Sequence, residues 1–251
     1  MAEKKVVRVE STGTAQESDP TWKPTPEAKS TSTRFRLIAA ALWVVAIGLE
    51  AYAIFGLLNQ DPVNMVLLIV LIVVIGLLAV GGSLLWKKAN RLDPASKSDT
   101  VRFFVQNQLG AIITVIAFLP LIVLILLNKD MSPQQKALAG GLGAIVMVAA
   151  AAVGIDWNPP STEQYSAETN EVTDIVGQDL VYWTKSGKVF HLCEKVSAVN
   201  LKSKDNTIYS GTVADAHAAG KERLTLQVAQ ETKQCGFDTP TPAPDTSTDA
   251  P

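Results

Sequence analysis

Between Leu37 and Ile155 the chain alternates long apolar runs with short polar connectors, and this pattern predicts its main elements. The runs begin near Leu37, Val63, Val105 and Ala137 and carry almost no charge. Each continues for about 20 residues, the number a helix needs to cross the hydrocarbon core of a bilayer. Inside that core every backbone amide must be paired within its own segment, so such runs are expected to be helical. The expected spans are 37–58, 63–86, 105–127 and 137–155, forming two hairpins in a transmembrane unit over 34–157. The expected fold class is mainly α, integral membrane: four transmembrane helices plus a small α+β C-terminal module and disordered tails.

Charge enters as a signal for orientation, because Lys and Arg near span ends are retained on the cytoplasmic side. Lys4, Lys5, Arg8, Lys23, Lys29, Arg34 and Arg36 precede the first span, and the connector 59–62 has no basic residue. The second connector region carries Lys87, Lys88, Arg91, Lys97 and Arg102, and the third has only Lys129 and Lys136. This alternation predicts a multi-pass protein of the cell membrane with N- and C-termini cytoplasmic. The net charge of -2 points to no nucleic-acid partner.

Glu50 is the one charged residue well inside an expected span. A carboxylate there costs about 2.5–3.5 kcal/mol on insertion scales, so it should face the bundle or carry a proton. It reads either as a proton- or cation-responsive site, or as a carboxyl satisfied by a neighbouring helix or by reaching towards Lys129. Pro120, in mid-span, removes a backbone donor and predicts a kink. The fourth span is rich in small residues: Ala139 and Gly143, Gly140 and Ala144, then Ala149 to Ala152. They suit close helix packing within the unit, or a homo-oligomer contact through the same faces.

Residues 1–33 are polar and carry Pro20, Pro24 and Pro26, which predicts a disordered cytoplasmic tail. The Pro/Thr/Asp-rich stretch 238–251 reads the same way, and 158–178 reads as a linker. A small cytoplasmic α+β module is expected over 179–237. Leu180–Thr184 and Val189–Leu192 flank Lys185-Ser186-Gly187-Lys188 as a hairpin would. Thr212 with Asp215 makes a capping box, Gly220 stops that helix, and Leu224–Val228 suits a further strand.

The run Val181-Tyr182-Trp183-Thr184-Lys185-Ser186-Gly187-Lys188-Val189-Phe190-His191-Leu192-Cys193 resembles a small metal-binding module at the ends of some bacterial secreted nucleases and membrane proteins. That module continues into an Ala-rich helix ending in Gly, matched by Ala214–Gly220, and a Cys-x-x-Cys knuckle, matched by Thr232 to Cys235. With its four spans, the whole chain is similar to four-span membrane proteins of actinobacteria, a resemblance that brings no activity with it. Thr232 stands where the knuckle has its first cysteine, and Cys193 follows His191 more closely than the pattern has it. Structural zinc takes four Cys/His ligands. His191, Cys193 and Cys235 supply three, and His217 is a possible fourth that reads first as an exposed helix residue. Three readings follow: a degenerate module without cofactor, a zinc site, and a Cys193–Cys235 bridge. The bridge ranks last because cytoplasmic thiols stay reduced.

No His-Glu-x-x-His, Walker loop or Gly-x-Ser-x-Gly is present, so no enzyme is expected. The leading expectation is an anchor, interaction or accessory protein that presents its module to a protein partner from the lipid bilayer. The alternatives are a small transporter or ion-permeation protein using Glu50, and a metal- or redox-responsive membrane sensor.

Overall fold

The computed structural model describes residues 5–9, 22–200 and 205–237. The chain divides into two compact units: Lys23–Thr162, and Glu163–Pro251 together with Met1–Trp22.

The first unit contains four helices long and apolar enough to cross a membrane, Pro26–Leu57, Met65–Leu92, Thr100–Leu127 and Pro133–Gly154. They are built from α1 (Pro26–Tyr52), α2 (Met65–Leu92), α3 (Thr100–Ile116), α4 (Leu119–Leu127) and α5 (Pro133–Gly154). Helix α1 runs on into a π-helical turn at Ala53–Leu57. Their starts follow local chemistry. Thr25 accepts from the Ala28 N–H ahead of Pro26, and Asn64 accepts from the Leu67 N–H. Ser132 and Gln135 form a reciprocal capping box for α5. Each device satisfies donors that the first helical turn leaves without partners.

Large apolar side chains face both ways. Leu57, Leu68, Ile72, Ile75, Leu121 and Ile125 are fully buried in the bundle core. Leu37, Val44, Phe55, Val66, Leu77 and Ile145 are exposed along its outside. An apolar exterior on this scale is compatible with a lipid surround and not with an ordinary aqueous surface. The small residues of α5 are used inside the bundle: a Cβ on Gly143 would meet Ile122, and one on Gly140 would meet Leu126. At Gly154 a Cβ would fall 2.6 Å from the Ala111 backbone nitrogen, so α3 and α5 approach backbone to backbone there. At this end of the bundle polar groups close on one another: Arg36 bonds Asp93 at 2.7 Å, Asn90 donates to Gln106 O at 2.8 Å and Lys87 to Ile155 O at 2.6 Å.

The second unit opens with β1 (Lys5–Arg8) and continues through α6 (Thr162–Val176, shared at its first residue), β2 (Val181–Trp183), β3 (Val189–Phe190) and α7 (Ser197–Asn200). It ends with β4 (Thr207–Gly211), α8 (Val213–Ala218), β5 (Arg223–Leu224) and α9 (Val228–Cys235). One sheet has the order β1-β4-β2, with β1 parallel and β2 antiparallel to β4. A second, of two strands, pairs β3 with β5 in parallel. Val172, Val181, Trp183, Phe190, Leu192, Val213, Ala216 and Leu224 fill the core between the strands and helices.

Several expectations change here. Residues 26–33 are the start of α1, and Lys5–Arg8 is a strand, so the expected disordered tail over 1–33 does not hold for them. The rest of that segment, except 9 and 22–25, and all of 238–251 lie outside the described residues. The expected linker 158–178 contains helix α6, whose buried face is Tyr165, Glu168 and Val172. A periodicity of i, i+3, i+7 with a carboxylate in the middle carries too little apolar signal to read as a helix face. The Lys185–Lys188 hairpin closes through one antiparallel bridge, Tyr182 with His191, while β3 takes its sheet partner from β5.

Candidate functional site

In the bundle, the structure brings together two residues that the sequence separates by 70 positions, Glu50 and Pro120. The third span is broken: α3 ends at Ile116, Ala117 and Phe118 form a turn, and α4 begins at Leu119. Pro120 sits in the first turn of α4, where its missing N–H costs nothing and its ring would clash with a continuous preceding helix. The new helix start leaves amides without intrahelical acceptors. One of them, the Leu121 N–H, faces the Glu50 carboxylate. Glu50 is only 5% exposed, and its Oε1 has no hydrogen-bond partner. The contact with Leu121 replaces the expected reach towards Lys129.

In the second unit, each histidine is paired with a buried glutamate. His217 Nδ1 lies 3.0 Å from the Lys221 carbonyl oxygen, so that nitrogen donates. Its Nε2 lies 2.6 Å from Glu168 Oε2, a contact that requires a proton between the two atoms. Tyr165 stacks on the imidazole at 3.7 Å, and Phe190 meets it edge-on. Glu168 Oε1 accepts from Gln164 Nε2 and from the Leu224 N–H, tying α6 to β5. His191 Nδ1 lies 2.7 Å from Glu231 Oε1, and Glu231 Oε2 accepts from the Leu192 N–H, tying β3 to α9. His217 is 1% exposed, so it is a core residue and not the exposed helix residue expected. Lys221 is buried too, and its ammonium donates to the carbonyls of Thr184, Lys185 and Gly187, which pins the hairpin turn. Burial pushes this ammonium below its ordinary pKa.

Cys193 and Cys235 are joined in a disulfide, with Cα atoms 6.0 Å apart and a separation of 42 residues. In this arrangement the expected set His191, Cys193 and Cys235 is not assembled as ligands: both sulfurs are engaged in the bridge, and the Nδ1 of His191 meets Glu231. Zinc needs free thiolate and imidazole lone pairs converging on one point. Among the described residues no cluster of His, Cys, Asp and Glu is placed to hold a metal. The glutamates that replace it as histidine partners, Glu168 and Glu231, and the pinning Lys221 were not singled out in the sequence. The partners that matter here lie 34 to 49 residues away, and no local spacing marks them.

A groove of about 700 Å³ opens between α6, β5 and α9. Ile175, Leu224, Val228 and Ala229 give it apolar walls, and Leu226 stands at its edge 82% exposed. Arg223 also lines it, with an Nη1 that is buried and has no hydrogen-bond partner. Elsewhere in this unit Asp179 accepts from the Val213 N–H at the start of α8. Burial pushes the Asp179 carboxyl above its usual range; that amide pulls it back and neighbouring Asp215 pushes the same way as burial. A carboxyl raised on folding contributes stability below its unfolded value, near pH 4, and loses it as pH rises through the folded value. Asp179→Asn keeps the acceptor without the charge. It is expected to be more stable than wild type at neutral pH and to lose this acid-side gain, which melting the full chain across a pH series measures. An unchanged pH profile would refute the assignment.

Compared with protein-family models, curated proteins and solved structures, the chain matches none, so the geometry of these sites alone carries the functional argument.

Proposed function

We propose that this chain is a membrane anchor that presents its α+β unit as an interaction module, and that it is not an enzyme. The observation that carries this reading is the pairing of β1, which precedes the first span, with β4, which follows the last. Two segments that share a sheet lie on one side of the bilayer, which an even number of crossings provides. The cationic residues flanking the spans favour the cytoplasmic side of the cell membrane for both. Within the module both imidazoles are covered and hydrogen-bonded, so they act as cross-links of the core and offer no base to a substrate.

The groove beside β5 supplies the surface that an interaction module needs. Apolar walls with one unpartnered guanidinium nitrogen suit a peptide bearing an apolar side chain next to an oxygen acceptor. A photo-crosslinking residue in place of Leu226 is expected to capture a protein in intact cells, and Arg223→Ala to abolish the adduct. Equal labelling with and without Arg223, or labelling of lipid alone, would overturn the reading.

One observation favours a second reading, a redox-responsive protein. The two cysteines of the chain are bridged in a module that the cationic residues assign to a reducing compartment. There the bridge acts as a clasp on α9, closed by a disulfide or quinone oxidant and opened by a dithiol reductant. A homo-oligomer contact remains available to α5 through Gly141, beside which there is open space.

A further inference from the structure

We propose that Glu50 is an exchangeable proton-binding site, built on the broken third span and open to the bundle end that carries the two hairpin connectors. Three observations converge on it. The first is the N-terminus of α4, whose Leu121 N–H meets the carboxylate. A helix start with unpaired amides favours negative charge. The second is the orphan Oε1 of Glu50, buried without a hydrogen-bond partner among the described residues.

The third is a route. A groove of about 310 Å³ is lined by Ile54, Phe55, Leu58 and Asn59 on one side and Leu124, Leu127 and Asn128 on the other, with Phe55 and Leu127 exposed at its mouth. Ile54 lies one helical turn beyond Glu50, and Leu124 one turn beyond Leu121, so the groove borders the helical turns next to those that carry the site. Its polar rim is Asn59 and Asn128, the latter donating to the Leu58 carbonyl. Next to Glu50 the chain widens into the π turn Ala53–Leu57, closed by the Leu58 N–H on Ala53 O at 2.9 Å. Such turns recur where a helix is adapted to a site.

The chemistry selects a proton over a metal ion. A hard cation needs six or more oxygen ligands, and this cluster offers one carboxylate among apolar side chains. A proton needs only the lone pair that Oε1 has free. Among the described residues α4 carries no titratable side chain, and those of α2 (Lys87, Lys88, Arg91) lie at the opposite end; the charged residues at this end of the bundle are Asp61, Lys129, Asp130 and Lys136. Towards the other end, the hydroxyls of Ser83 and Thr114 are each committed to a carbonyl of their own helix. The site is thus filled and emptied from one side. Protonation neutralises the charge that holds the start of α4, which couples the proton to the position of that half-helix.

The test is infrared difference spectroscopy of the full chain in lipid nanodiscs, stepping pH and exchanging into D2O. The wild type is expected to show a carboxylic C=O band that titrates with pH and shifts in D2O. Glu50→Gln is expected to lose that band, and Asp61→Asn to retain it. Ile54→Trp, which fills the groove, is expected to keep the band but slow its D2O shift. A band that persists in Glu50→Gln, or the absence of any titrating band in the wild type, overturns the proposal. So does D2O exchange that Ile54→Trp leaves unchanged. Where Glu50→Gln fails to fold, Glu50→Asp, which keeps the carboxyl and is expected to move its band, assigns it among the other carboxyls of the chain.

Discussion

Replacing Glu168 with alanine is expected to unfold the C-terminal module, at a cost of about 3–5 kcal/mol for breaking a buried, hydrogen-bonded pair. The reason lies in what the substitution leaves behind. His217 is enclosed by Tyr165 and Phe190, and Glu168 is the partner of its Nε2. Without the carboxylate that nitrogen, 1% exposed with its residue, loses its hydrogen-bond partner. The same change removes the acceptor for the Leu224 N–H, so β5 loses its tie to α6 as well. A unit this small holds only a few kcal/mol of stability, which one such loss consumes. Hydrogen exchange in the full chain reads the effect directly: amides of β2 and α8 should lose protection in Glu168→Ala while those of α2 keep theirs. Glu168→Gln, which preserves shape and hydrogen bonding, should fall between the two. Retention of full protection in Glu168→Ala would mean that the His217 pair contributes nothing to the core.

The second large effect is expected at the disulfide. Closing a loop of 42 residues removes about 4 kcal/mol of chain entropy from the unfolded module on the loop-closure estimate. Cys235→Ser should therefore melt the module well below the oxidised wild type, and a dithiol reductant should bring wild type down to the same point. Helix α9 should respond first. Besides the bridge, it is held to β3 by Glu231, which bonds His191 and the Leu192 N–H. If oxidised wild type, reduced wild type and Cys235→Ser melt together, the bridge is structurally idle and the redox reading falls. The same thiols report the face of the membrane. With the module cytoplasmic, a membrane-impermeant maleimide applied to intact cells with an impermeant phosphine should leave both cysteines unlabelled. Lysis in the presence of reductant should expose them. Labelling in intact cells would place the module outside, where a disulfide is expected and the cationic flanks are the anomaly.

The lesson for reading such chains is clearest where one residue type was read twice. The run from Val181 to Cys193 resembles a metal-binding module despite the short His191–Cys193 gap, and Cys235 falls where its last ligand belongs. In three dimensions the unit is closed by a sulfur–sulfur bond and by carboxylates against the imidazoles. Glu231 lies four residues before Cys235 on α9, so one short helix delivers both substitutes for a metal. Glu50 and Pro120 illustrate the reverse. Each stood out in the sequence alone, but nothing in the sequence tied them together.

What the sequence determined by itself was whatever depends on a residue's near neighbours. The four spans follow from runs long enough to satisfy their own backbone. The starts of α5 and α8 follow from capping residues three positions apart, and the break before α4 from a single proline. The tertiary structure alone decided the contacts made across the chain: Glu50 on the Leu121 amide, His217 on Glu168, Lys221 on the hairpin turn, and β1 beside β4. The physical reason is that a buried polar group must be satisfied by whatever partner the fold brings within hydrogen-bond reach. Spacing along the chain carries no record of which partner that is.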